Sequence, residues 1–219
     1  MKLVICGEGG LGHEVLDMVL QLQDMGIKKY DEILFLDDNP AKTGYMGYKA
    51  MVSEAIFDKY DTSDTKFVMA IGEPVYRRKL IDKIRERGYG FETLIHPNSY
   101  IGLNSVVGAG TVVQKFACIS CDVVVGECCF LQPYSAVGHD CRIMENCTLS
   151  TNAALSGDVE IGENTYIAVG VSVMQGIRIG HDSVVGMGSV VVRDIPENVI
   201  AMGNPARPMK YKDEQKVFS

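Results

Sequence analysis

The chain has 219 residues, room for one domain or two small ones. Its 47% hydrophobic and 22% charged content is that of a folded globular protein and excludes a disordered one, and no apolar run approaches the roughly 20 residues of a membrane span. The net charge of −7 disfavours a polyanion such as nucleic acid, so any phosphate bound here must be held locally.

The N-terminus, MKLVICGEGG, has too short an apolar stretch for a signal peptide, and a cytoplasmic location is expected. The same segment reads as a buried strand, Lys2 to Cys6, running into Gly7-Glu8-Gly9-Gly10-Leu11-Gly12. A helix follows, with Val15, Met18, Val19, Leu22 and Met25 on one face. A strand Ile33 to Leu36 ends on Asp37-Asp38, and another, Phe67 to Ile71, leads through Gly72 into a helix carrying Tyr76, Leu80, Ile81 and Ile84. This is a small Rossmann-like βαβ sheet, and such sheets bind ligands at the carboxyl ends of their strands. Gly7, Gly9 and Gly12 match GxGxxG in the required strand-to-helix setting. Free amides at the helix start can hold a phosphate without a lysine, although a tight turn uses glycine for its own sake. Asp37 stands near where an acidic residue takes a ribose or base hydrogen bond. The region is too short for both halves of a dinucleotide fold and suits a single nucleotide.

The composition changes near Ile95. Residues 1–94 carry 13 Lys/Arg and 16 Asp/Glu, whereas residues 95–196 carry 4 and 9; the expected domains are 1–94 and 95–219. From Ile101 to Val191 every sixth residue, sixteen in all, is Ile, Leu or Val. A period of six is that of a parallel β-helix, in which three sixes close one triangular coil of about 18 residues. The aliphatic points inward and the small fifth residue packs beside it. Cys129, Cys141 and Cys147 occupy that fifth position and read as packing residues. The seven cysteines include no CxxC, which fits reduced thiols better than disulfides or zinc.

Of the four histidines, His13 and His181 read as surface residues and His96 as a structural residue of the junction turn. His139 differs. One coil above it lies Gly157, so an imidazole at this corner would sit about 4.8 Å from an open backbone amide. A base beside a fixed N–H donor is what acyl transfer requires, and Asp140 can orient the ring. Zinc held by three histidines is not expected, because His139 and His181 fall on different corners.

The chain resembles the hexapeptide-repeat sugar acetyltransferases that carry an N-terminal nucleotide-binding domain and act on sialic acid or UDP-linked amino sugars. The resemblance rests on Gly7-Glu8-Gly9-Gly10, Phe35-Leu36-Asp37-Asp38, Ala70-Ile71-Gly72, Gly138-His139-Asp140-Cys141, Ser156-Gly157-Asp158 and Gly203-Asn204-Pro205-Ala206. It implies a left-handed β-helix, a homotrimer and acetyl-CoA in a groove between subunits. His139 is then the general base, Asp140 its partner, and the Gly157 amide faces the thioester carbonyl. Thr148, Val169 and Met187 match positions that meet the cofactor, and Arg207, Lys210 and Lys212 are placed to meet its phosphates. Gly9, Gly10, Leu11, Asp37, Asp38 and Gly72 match the residues that hold a UDP-sugar. Leu11, Thr148 and Met187 depart from the His, His and Gly common at those places. The expected activity is N-acetylation of a UDP-linked 4-amino sugar; the alternatives are O-acetylation of sialic acid or another sugar, and a non-catalytic nucleotide-sensing scaffold.

Overall fold

The computed structural model describes residues 1–211. Its first part is a sheet in the order β3-β4-β2-β1-β5-β6. Parallel strands β1 (Lys2–Cys6), β2 (Glu32–Leu36) and β5 (Thr65–Met69) form the centre. The hairpin β3 (Gly44–Tyr45) and β4 (Tyr48–Met51) extends one edge, and β6 (Gly90–Phe91) the other. Side chains alternate across the sheet as the strand period demands. Leu3, Ile5 and Phe35 face helix α1 (Gly10–Asp24), while Val4, Cys6, Leu34 and Phe67 face α2 (Ser53–Lys59) and α3 (Pro74–Glu86). Two residues assigned to apolar helix faces are exposed: Met25 lies past the end of α1, and Tyr76 of α3 opens onto a cleft at the strand ends. The hairpin and α2 were not visible in the sequence pattern, because neither has a run long enough to show a period.

The second part is the expected parallel β-helix, left-handed. Its three faces are built from two-residue strands every six residues, from β7 (Leu94–Ile95) and β8 (Tyr100–Ile101) to β23 (Val190–Val191). Each strand pairs in parallel with the one a coil above, as Ile119 with Val137 and Val137 with Leu155. The last coil is two residues short, pairing Ile179 with Ile195, and the stack ends in the antiparallel pair β24 (Val199–Gly203) and β25 (Ala206–Tyr211).

The inward column runs from Val113 to Val191 and is buried throughout. Fifth-position hydroxyls and thiols beside it donate to carbonyls in the coil above: Thr111 to Gly126 at 2.8 Å, Cys129 to Met144 at 3.0 Å, Cys141 to Ser156 at 3.1 Å and Cys147 to Gly162 at 3.0 Å. Burial pushes the Cys6, Cys141 and Cys147 thiols up, and that of Cys128 to about 12, so these are unreactive packing groups. From Asn104 (58°) to Gly188 (67°) the fourth position of every repeat turns the corner with positive φ. Thirteen of the sixteen fourth-position residues are Asn, Asp or Gly, the types that adopt this conformation most readily.

The two parts share a core. Leu94, Val112 and Phe130, on the face that starts with β7, pack into the α1 side of the first sheet. At the centre of this junction Arg77 of α3 is fully buried. Its Nε donates to Asn146 Oδ1, Nη2 to Asn146 O at 2.7 Å, and Nη1 to Thr148 Oγ1 at 3.0 Å and Ile71 O at 3.3 Å. Along the adjacent corner Glu127, Glu145 and Glu163 meet Arg85 and Arg78. The docking of α3 is therefore polar at its rim and charge-bearing at its centre.

Candidate active site

His139 stands at the corner between the β8-to-β23 face and the next, with its side chain half exposed. Asp158 N–H donates to His139 O at 2.8 Å, which fixes the coil above in register, and Gly157 lies against the ring. A Cβ at position 157 would come within 2.5 Å of Cε1 and Nε2. Only glycine leaves room for the imidazole in this place. The Gly157 carbonyl accepts Gly176 N–H at 3.0 Å, while its own N–H makes no backbone hydrogen bond. Asp140 is the fourth-position residue, at φ 60°, and this turn brings its Oδ2 to 2.7 Å from His139 Nδ1. With Nδ1–H directed at Asp140, Nε2 carries the lone pair of a base.

The same repeat position offers an internal comparison. His181 Nδ1 lies 2.7 Å from Asp182 Oδ2, the identical local pair. There, however, Nε2 is 3.4 Å from Glu197 Oε2, and no glycine amide faces the ring. Asp182, and more weakly Glu197, raise the His181 pKa above its ordinary value. The His–Asp contact is thus a product of the repeat, and the stacked glycine is what sets His139 apart.

Val169 and Met187 stack on the next corner, Gly188 N–H donating to Val169 O at 2.9 Å, and both side chains are exposed. They offer an apolar rail for an aliphatic arm. Thr148 does not join them, contrary to the sequence expectation. It is buried, with its hydroxyl taken by Arg77 on the face that docks the first domain. Arg207 lies on β25, and Lys212 lies outside the described residues.

In the first domain a cleft of about 810 Å³ opens at the strand ends, lined by Gly7, Asp37, Asp38, Ile71, Tyr76 and Lys79 among others. Gly12 is required for packing, since a Cβ there would fall 1.9 Å from Gly7 O, whereas Gly9 and Gly10 face open space. Asp37 accepts Glu8 N–H at 2.9 Å and Asn39 N–H at 3.0 Å, tying the glycine loop to the end of β2. Asp38 is turned to α2, accepting Ser53 N–H at 2.7 Å, so its carboxylate caps that helix from an exposed position on the cleft wall. Leu11 packs against the α1-side core, and Gly72 is half-buried beside the Arg77 contact at Ile71. Sequence reasoning missed Lys79, an exposed cation at the cleft mouth, because it follows Arg77-Arg78 in what reads as a solvated charge run.

His13, expected to be a partly exposed surface residue, is half-buried, stacked on Tyr45 at 3.6 Å between centroids, with Nε2 3.6 Å from the buried Glu8 carboxylate. His96, read as a structural residue of the junction turn, is buried, its Nδ1 accepting Asn98 N–H at 3.0 Å. Among the described residues no His, Cys, Asp and Glu group of three is arranged for a metal ion, and no helix is long and apolar enough to cross a membrane.

Residues 2–84 match the family described as the PglD N-terminal domain. A curated relative, UDP-N-acetylbacillosamine N-acetyltransferase of Bacillus subtilis (strain 168), is 32% identical over 113 residues, and the chain spans about half (51%) of that protein's length. Two solved structures align over nearly the whole chain. The acetyltransferase domain of PglB from Neisseria gonorrhoeae FA1090, in complex with acetyl coenzyme A, is 28% identical with a TM-score of 0.87, covering 95% of this chain and 98% of that one. PerB from Caulobacter crescentus, in complex with CoA and GDP-perosamine, is 30% identical with a TM-score of 0.84, covering 96% and 98%. The chain belongs to the hexapeptide-repeat sugar acetyltransferase family. One chain thus carries both a histidine seated on a glycine amide and a cleft at the strand ends of its first sheet. His139 lies on the corner opposite the face that docks the first domain, so His139 and the cleft of one chain do not meet.

Proposed function

We propose that this chain transfers the acetyl group of acetyl-CoA to the amine of a nucleotide-linked amino sugar, with a UDP-linked 4-amino sugar as acceptor, in a homotrimer whose sites lie between copies. The observation that carries this is the His139 ring seated on Gly157, with Asp140 on Nδ1 and Nε2 free to take a proton. Acetyl-CoA supplies an activated acyl carbonyl. Val169 and Met187 hold its arm; the Gly157 N–H donates to the carbonyl oxygen as negative charge develops there. His139 Nε2 takes the proton of the attacking amine as the C–N bond forms, and the imidazolium gives it to the departing thiolate as the C–S bond breaks, releasing CoA as the free thiol. Asp140 stabilises the imidazolium. The nucleoside lies in the cleft beside Asp37 and Tyr76, its diphosphate on the Gly9 and Gly10 amides with Lys79 at the mouth. Both named relatives that act on or bind a nucleotide-linked sugar support this acceptor class.

The test is release of free thiol from acetyl-CoA against a panel of UDP-linked 4-amino sugars, GDP-perosamine and free sialic acids. Turnover is expected with the UDP-linked amines. Turnover confined to free sugars would replace the reading with O-acetylation, and none with any acceptor would leave the scaffold reading in its place.

A further inference from the structure

Three of the fourth-position residues that turn the corners with positive φ are neither Asn, Asp nor Gly: Phe116 (64°), Cys128 (52°) and Tyr134 (62°). A bulky side chain adopts this conformation only under strain. Cys128 is held there by the rest of the chain, since it is buried against the first domain. Phe116 and Tyr134 are not; they are 43% and 57% exposed. Their rings stack on each other at 5.2 Å between centroids, and Lys115 Nζ stands 5.1 Å from the centre of the Phe116 ring. Two strained aromatic residues turned to solvent one coil apart mark a functional surface.

We propose that the Phe116–Tyr134 stack is a docking surface for a second copy of this chain, packing on the corner that carries Cys121 and His139; the inference rests on the reading above that the sites lie between copies. Three observations select this occupant. The stack belongs to the corner that carries Val169 and Met187, about two coils lower, in the column Phe116, Tyr134, Asn152 and Gly170. Heights then match. Copies related by rotation about an axis parallel to the β-helix stand level, and a coil of 18 residues rises about 4.8 Å. The arrangement that lays Val169 beside Gly157 of the partner subunit therefore lays Tyr134 beside His139 of the partner subunit and Phe116 beside Cys121 of the partner subunit, each within about 1.3 Å of height. The receiving corner is open, with Leu103 81% exposed, Cys121 exposed and His139 half exposed. Cys121 closes a C-x-x-C with Cys118, contrary to the sequence reading, and both thiols are free and exposed. Charge is complementary as well: the exposed Lys115 flanks the stack, while the exposed Asp122 and Asp140 flank Cys121 and His139. The strain at Phe116 and Tyr134 is in this way offset by a contact between copies, and the stack steadies the corner that holds the base.

Sedimentation of the full-length protein over a dilution series tests the contact, comparing wild type with the double variant Phe116→Asn, Tyr134→Asn. Asn is the residue the same column carries at Asn98 and Asn152, and it adopts positive φ readily. The double variant is expected to need at least about tenfold more protein to stay assembled, while its dissociated chain melts no lower than the dissociated wild type. A role in folding alone would move these two readouts the other way. Lys115→Glu, an exposed substitution that leaves the backbone alone, should also weaken assembly, and more so at low salt. A double aromatic variant that dissociates at the wild-type concentration would overturn the docking surface and leave the acetyl-transfer reading standing. A wild-type protein that is monomeric at every concentration would overturn the placing of sites between copies, and the docking surface with it.

Discussion

One methyl group at position 157 separates structure from chemistry at the base. In Gly157→Ala the new Cβ meets the exposed His139 ring, which can swing outward, so the fold loses little while the base leaves its place. The melting temperature should stay within about 2 °C of wild type, and kcat should fall at least about tenfold. His181 gives a second residue-scale expectation. Asp182 raises its folded pKa, so its stabilising contribution is fully present below the ordinary value of 6.5 and is lost as pH rises through the raised one. The ring is half exposed, so the effect is small and salt-sensitive. Urea midpoints measured across pH 5 to 9 should show this slope in the wild type and not in His181→Gln.

At the scale of elements, the stacking of position 139 under 157 and of 169 under 187 was legible because a strict period of six turns sequence distance directly into height and corner. The corner residues were equally visible in principle: the Asn, Asp and Gly at fourth positions mark the positive φ. Arg77 was not legible. It sits in Arg77-Arg78-Lys79, a run that reads as a solvated helix face, and its burial depends on how α3 docks on the β-helix. The same docking buried Thr148 under Arg77, and within the first domain Asp38 caps α2; no local pattern announces either. Arg77→Leu should leave Asn146 and Thr148 without their donor and destabilise the protein by about 2–4 kcal/mol. Urea unfolding checks this, and a loss below about 1 kcal/mol would show the buried guanidinium to be replaceable by apolar packing.

For the whole molecule, the proposed function reconciles the net charge of −7 with phosphate-bearing ligands through exposed glycine amides and a few placed cations. In the proposed function, the separation of His139 from the strand-end cleft makes activity a property of the assembly. A His139→Ala chain mixed and reassembled with an Asp37→Ala chain should regain a fraction of wild-type turnover, since some sites then combine an intact base with an intact cleft; no recovery would place the whole site within one copy. The most direct measurement is steady-state thiol release from acetyl-CoA with a UDP-linked 4-amino sugar, comparing wild type with His139→Ala after sizing confirms an unchanged assembly. The account predicts a kcat lowered by at least about 10² in the variant; a rate close to wild type would contradict it and move the base to another residue.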